Sequence, residues 1–294
     1  MHKSVPALAL LLALLLALLP GAGVASSVRY EVPPEKLAKG EGLEVCFLSI
    51  GLGDCFFLSC GGETMLIDGG VKLAGRYIAK FLDARGLKGV EIMLNTHAHD
   101  DHIAGLTALM QKGYAPRKVM SPYSFEYPLP LHRAFVKKAR ELGATYVRIE
   151  DGDSFTLGDA RFDVIRNMTP NVGTNAASVI LRVTYGKRSL LLMADAAGLT
   201  GHWLMKDRAD MLRADIVKCM HHGLNRFVLG LIELIDPELA IITNRRRNKP
   251  LVVQQLAQRD IPMLFTPTGT ITAWTDGENW YVQQENAGAE NPGA

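Results

Sequence analysis

The chain has 294 residues, 48% hydrophobic and 21% charged, with 32 basic and 30 acidic side chains and a net charge of +2. This is the composition of an ordinary globular chain with material for one large core or two small ones, which sets aside a disordered or fibrous protein. Near-neutral charge argues neither for nor against nucleic acid as a partner, so that question falls to local clusters.

The N-terminal stretch reads as an address. Lys3 supplies a short basic region, residues 7–19 an unbroken run of Leu and Ala, Pro20-Gly21 a break, and Gly23-Val24-Ala25 a small-residue cleavage signal. The apolar run is shorter than the roughly 20 residues a membrane-spanning helix needs. Residues 1–25 are therefore expected to be a bacterial secretory signal peptide. The mature chain would begin near Ser26, secreted or periplasmic, with no stable membrane insertion after cleavage. Four cysteines in an exported chain permit disulfides. Cys46 and Cys60 fall on two expected strands joined by Gly51-Leu52-Gly53 and share the parity of one face, which makes them the best candidate pair.

Residues 26–42, with Pro33-Pro34, read as a linker or irregular arm. Alternation then predicts strands at 43–50, 54–60 and 64–67, a helix over 73–85 ending at Gly86, a strand at 90–95 and a helix over 103–111. The middle continues with a strand at 117–120, a helix over 131–142, a strand at 146–149 and a hairpin of 155–157 with 161–166. Next come 178–185 and 189–193, joined by the turn Gly186-Lys187. A helix over 199–206, a strand at 215–220, a helix over 227–235, a strand at 239–243 and a helix over 252–259 follow. Short strands at 263–265, 271–274 and 280–282 close the pattern, and residues 284–294 read as a disordered tail. There is no internal repeat and no mid-chain linker, so residues 43–283 read as one α/β (α+β) domain of mixed sheets with helices outside.

The strand at 90–95 runs into Thr96-His97-Ala98-His99-Asp100-Asp101-His102, an H-x-H-x-D-H pattern with three imidazoles and two carboxylates in six positions. In an extended segment residues two apart project to one side, so His97 and His99 can close on one cation. Asp101 and His102 point differently and can reach a second, the arrangement of two-metal hydrolases. Two more ligand-type positions follow apolar strands: Asp195, after Leu190-Leu191-Leu192-Met193-Ala194, and His221-His222, after Ile216-Val217-Lys218-Cys219-Met220. Asp195 is placed to bridge two metals. One of His221 and His222 would complete the first metal's shell, and neighbouring side chains point apart, so the choice between them stays open.

Taken in order, Ile50-Gly51-Leu52-Gly53-Asp54, Leu66-Ile67-Asp68-Gly69-Gly70, the H-x-H-x-D-H run, Asn175-Ala176-Ala177-Ser178, Leu192-Met193-Ala194-Asp195 and His221-His222-Gly223 resemble the metallo-β-lactamase superfamily. They look most like the hydrolase domain of ComEC-type DNA-uptake proteins and its free-standing secreted relatives. The resemblance implies a four-layer αββα sandwich of two mixed sheets with the metals at one edge. It makes His97, His99, Asp101, His102, Asp195 and one of His221 or His222 metal ligands, with Asp68 a structural carboxylate beneath them. Two departures stand out. The superfamily usually has a further ligand histidine before the bridging aspartate, and here the interval holds only His132, in a helical pattern. Where relatives tend to show a His-Pro that can ligate the second metal, this chain has Lys249-Pro250. That leaves the second site with Asp101, His102 and Asp195, and Lys249 with a role in replacing the cation's charge or gripping a substrate phosphate.

Such a site suits hydrolysis by a metal-bound hydroxide, because zinc lowers the pKa of its water to about 7. One or two zinc ions per chain are expected, with manganese or iron as substitutes. Asp101 would orient or deprotonate the water and Asp195 steady it. The expected substrates are phosphodiesters, small or polymeric, nucleic acid among them. Carboxylic esters, lactones or amides are the alternative, and a non-catalytic metal-binding module with a degenerate second site is the third reading.

Overall fold

The computed structural model describes residues 26–196, 198–243 and 251–285. In chain order the strands are β1 (Val28–Arg29), β2 (Leu43–Phe47), β3 (Phe56–Cys60), β4 (Glu63–Ile67), β5 (Gly89–Leu94), β6 (Ala115–Ser121), β7 (Thr145–Arg148), β8 (Ser154–Leu157), β9 (Ala160–Ile165), β10 (Ile180–Tyr185), β11 (Arg188–Leu192), β12 (Ile216–Lys218), β13 (Leu239–Ile242), β14 (Met263–Phe265), β15 (Ile271–Thr275) and β16 (Trp280–Gln284). They form two sheets, one ordered β1-β16-β15-β2-β3-β4-β5-β6-β7 and the other β14-β13-β12-β11-β10-β9-β8. Both sheets are mixed: β4 through β7 run parallel in the first, which is antiparallel from β16 to β4, and β11 through β14 run parallel in the second, which is antiparallel from β11 to β8.

Alternation along the strands builds the layers. Val45, Phe47 and Leu58 on the first sheet pack with Leu181, Val183 and Leu190 on the second, which makes the space between the sheets the central core. The opposite faces take the helices that follow the short α1 (Glu35–Ala38) of the N-terminal arm. On the first sheet, Cys46, Phe57 and Leu66 meet apolar residues of α2 (Gly75–Ala84), α3 (Asp100–Gln111) and α4 (Pro130–Glu141). On the second, Ile180, Leu191 and Val217 meet α5 (Leu199–Asp207), α6 (Leu231–Ile235) and α7 (Leu251–Ala257). The result is the αββα sandwich. No helix among the described residues is long and apolar enough to cross a membrane.

Three details differ from the expectations. The arm at 26–42 joins the first sheet: β1 pairs in parallel with β16, and Leu37 is buried. The helix expected from 103 begins at Asp100, so Asp100, Asp101 and His102 form its first turn, where carboxylates face the positive end of the helix dipole. The cysteines are all free and buried. Leu43 faces Cys60 across β2 and β3 while Cys46 faces Phe57, so cross-strand partners have opposite parity. Cys46 and Cys60 therefore lie on opposite faces of the sheet, and a bond between them is ruled out by register.

The start of α3 is fixed by main-chain contact with the turn after β4. Gly69 N donates to His102 O at 2.7 Å and Gly105 N to Gly70 O at 2.9 Å. A Cβ on Gly105 would lie 1.7 Å from Gly69 O. Gly105→Ala is expected to lower stability by about 1–3 kcal/mol despite alanine's better helix propensity, because a backbone oxygen has to yield; urea unfolding measures it, and an unchanged midpoint would contradict the close approach. Burial pushes the thiols of Cys46, Cys55 and Cys60 up, and that of Cys219 up to about 12. Native protein is accordingly expected to resist a thiol reagent such as dithionitrobenzoate at pH 8, and to release four equivalents on unfolding.

Candidate metal centre

The site collects at the carboxyl ends of parallel strands, the usual place for a ligand in such sheets. β4 delivers Asp68, β5 the 95–102 segment, β11 Asp195, β12 the histidine pair and β13 Thr243. The first and second sheets thus each contribute one half.

Asp68 lies beneath the histidines and is fully buried. It accepts hydrogen bonds from Thr96 N at 2.8 Å, Thr96 Oγ1 at 2.6 Å and Asn95 Nδ2 at 3.1 Å, and its Oδ2 lies 2.8 Å from His102 Nδ1. The imidazole contact turns His102 Nε2 toward the interior of the site. Burial opposes a charge on His102, yet Asp68 and Asp195 outweigh it and hold its pKa well above the ordinary value. Burial and the neighbouring His102 push His97 the other way.

Asp195 joins two groups of donors. Its Oδ2 is 3.7 Å from both His97 Nε2 and His221 Nε2, and His97 Nε2 is 3.2 Å from His99 Nδ1. Its Oδ1 is 3.3 Å from both His102 Nε2 and His222 Nε2. Asp101 closes the second group, its Oδ2 3.5 Å from His222 Nε2 and its Oδ1 4.0 Å from His102 Nε2. The adjacent histidines therefore part: His221 faces the group with His97 and His99, and His222 the group with His102 and Asp101. The backbone makes this possible, since His221 and His222 sit at φ 47° and 56°, in the left-handed region, as do Asp68 at 54° and Ala194 at 44°. Such conformations cost about 1–3 kcal/mol each for residues other than glycine and cluster where function fixes geometry.

Three buried atoms at the heart of this arrangement have no hydrogen-bond partner: His102 Nε2, His222 Nε2 and Asp195 Oδ1. Asp195 Oδ1 lies 3.3 Å from each of the two nitrogens without hydrogen-bond alignment. Leaving such atoms unpaired is costly in a folded protein, and a divalent cation between them would satisfy all three. Imidazole nitrogen and carboxylate oxygen are the donors that borderline cations such as zinc accept. The residues fit a metal.

Asp54, quoted in the first glycine motif without a role, is a residue that sequence reasoning missed. It is fully buried and bonds Lys218 Nζ, itself fully buried in β12. Its Oδ1 accepts from Thr243 Oγ1 at 2.7 Å and lies 3.0 Å from His222 Nδ1. Asp54 falls close enough to His102, Asp195 and His222 to be grouped with them as a donor, but its oxygens are taken by Lys218, Thr243 and His222. The signal in the sequence was Lys218 itself, a cation inside an apolar strand that demands a buried partner. Burial would raise the Asp54 pKa, and Lys218 followed by His222 reverse this and hold it well below the carboxylate range. The Asn175 and Ser178 element is placed as well: Asn175 Nδ2 lies 3.4 Å from His221 Nε2, and Ser178 Oγ accepts from Asp195 N at 3.2 Å. His132 lies apart, its Nε2 2.9 Å from Ser124 O within an aromatic cluster. Lys249, residues 1–25 and residues 286–294 lie outside the described residues, whereas Gln284, expected as the start of the tail, ends β16 opposite Ile271.

Fold and site together define a metal-dependent hydrolase, and the chain belongs to the metallo-β-lactamase superfamily, whose model matches residues 49–242. Among individual proteins it is similar to ComE operon protein 3 of Bacillus subtilis (strain 168), 27% identical over 255 residues that cover 78% of this chain and 32% of that one. The chain thus spans about a third of that relative's length. Of solved structures, YhfI from Bacillus subtilis, a metallo-β-lactamase fold protein, aligns with TM-score 0.51 and 12% identity over 76% of this chain and 96% of its own. CmlA, a diiron β-hydroxylase from Streptomyces venezuelae, aligns with TM-score 0.52 and 14% identity over 83% of this chain and 55% of its own. Both likenesses concern the fold.

Asp54→Asn keeps an acceptor for His222 but leaves Lys218 buried without its counter-charge. It is expected to weaken metal affinity about 10–100-fold and to cost about 3–5 kcal/mol of stability. Adding Lys218→Met should recover the stability and not the affinity, as read by competition with a chromophoric chelator. Affinity that returned with stability would reduce Asp54 to a purely structural residue.

Proposed function

We propose that this protein is a two-cation phosphodiesterase. His97, His99, His221 and Asp195 would hold one divalent cation, and Asp101, His102, His222 and Asp195 the other, with zinc the first choice. The observation that carries this reading is Asp195, whose two oxygens each face a separate pair of imidazoles. Held by these residues, a cation pair would lower the pKa of a water and clamp attacking and leaving oxygens together, chemistry that suits a phosphodiester more than an ester that develops less charge. His222 answers the departure noted in the sequence, because it would give the second group another imidazole beside His102 without a His-Pro at 249–250.

The chain's own residues divide the work. Asp68 fixes the ring of His102 and Asp54 that of His222. Asp101 is the most accessible carboxylate of the cluster, its side chain 27% exposed against 3% for Asp195, so it is the group placed to orient the attacking water and accept its proton on a carboxylate oxygen. His221, 30% exposed on the other flank, lies where substrate enters. The basic and apolar N-terminal segment supports placing this activity outside the cytoplasm.

Purified protein loaded with zinc or manganese is expected to bind two equivalents by elemental analysis and to hydrolyse bis-p-nitrophenyl phosphate in preference to a lactone panel. Asp195→Ala should reduce turnover to background and lose metal from both sites. One equivalent of metal together with lactone turnover would replace the phosphodiester reading by the carboxylic ester one, and full metal occupancy with no turnover would leave a binding module.

A further inference from the structure

Next to the first group of histidines the surface opens into a cavity of about 320 Å³, at the lower end of the range for small-molecule sites. It adjoins the His97-Ala98-His99 turn through Tyr123, which lines it and whose hydroxyl accepts from Ala98 N at 3.3 Å. Its far wall includes Gly173, Thr174 and Ala177, the segment that carries Asn175 to within 3.4 Å of His221. The cavity is therefore flanked on one side by a side chain bonded to the histidine turn and on the other by the segment that carries Asn175.

Its lining is polar but nearly uncharged, with two aromatic rings on one side. The rings of Tyr123 and Tyr127 stack with centroids 4.7 Å apart and planes 26° from parallel. Tyr123 is 8% exposed and serves as the base of the stack, whereas Tyr127 is 40% exposed and Met168, on the same lining, 53%. Arg166 is the one charged residue of the lining. Its guanidinium lies 5.8 Å from the Tyr123 ring centre, while Nε donates to Ala177 O at 2.8 Å and Nη1 to Pro122 O at 3.1 Å. That cation is engaged in fixing the walls, so a phosphate gains little here. A flat neutral ring gains more, since an exposed tyrosine backed by a second ring is a rigid stacking platform and a methionine thioether a polarizable companion.

We infer that this cavity is a subsite for a nucleobase carried by the phosphodiester, with Tyr127 as its platform. The inference rests on the phosphodiesterase reading for its link to the reaction, while binding of the base does not depend on turnover. The volume suits one nucleoside rather than a run of bases, so recognition would act on the residue flanking the scissile bond.

Two substrates with the same leaving group separate the contributions: p-nitrophenyl thymidine 5′-phosphate and methyl p-nitrophenyl phosphate. In Tyr127→Ala the ratio of kcat/KM for the first over the second is expected to fall about tenfold, the scale of one base stacked on one aromatic side chain. Tyr127→Phe should restore it. A ratio taken on one preparation is insensitive to the folded fraction, so a destabilised variant still reports. In parallel, thymidine 5′-phosphate is titrated against metal-loaded wild type and Tyr127→Ala, with weaker binding expected in the variant. An unchanged ratio, or equal binding by the two proteins, overturns the subsite. If wild type cleaves neither diester, the phosphodiesterase reading fails, and the titration alone decides whether the cavity takes a base.

Discussion

The architecture turns on one buried carboxylate shared by two sets of imidazoles. Asp195 has no part in a helix cap or surface ion pair; its backbone is pinned by Ser178, and its oxygens face opposite ways. Burying an anion among lone pairs is unfavourable unless positive charge is present. Much of the surrounding structure serves that requirement: His102 and His222 are aimed by Asp68 and Asp54, and Lys218 sits one layer further out. The site is a set of alternating charges arranged in depth, with each shell fixing the orientation of the one inside it.

The scaffold explains why these residues can be held so closely. Five strand ends converge on the same edge, and each is in the parallel part of its sheet, where main-chain bonding leaves the carboxyl end free to project side chains. Four left-handed residues in three of the turns put adjacent side chains to different uses. The glycines at 53, 69 and 105 let the loops lie directly on the backbone of α3.

Much of this was legible in the sequence because ligand chemistry is local there. The histidines at 97, 99 and 102 and the aspartate at 101 stand in one run, and Asp195 and the histidine pair each follow an apolar strand, so type and position agreed. Alternation pointed to mixed sheets with helices outside, and the family resemblance implied their four-layer order. The rest depended on long-range geometry. Lys218 and Asp54 are 164 positions apart, and neither residue announces the other. The division of His221 from His222 follows from two left-handed backbones that no residue preference specifies. The cysteine pairing failed on cross-strand register, where an odd sum of positions sends residues of equal parity to opposite faces. The start of α3 was placed late because its apolar pattern begins at Ile103, whereas Asp100 and Asp101 already form the first turn, where carboxylates are favourable.

Because the donors come from both sheets, neither half of the chain can assemble the cage by itself. The first sheet brings His97 to His102 and the second Asp195 and the histidine pair, so capture of the cation belongs to the end of maturation, after the layers dock. A cation that binds only the docked state then draws the folding equilibrium toward completion by mass action. With a cation held this way, metal supply where the chain matures would set how much of it completes folding.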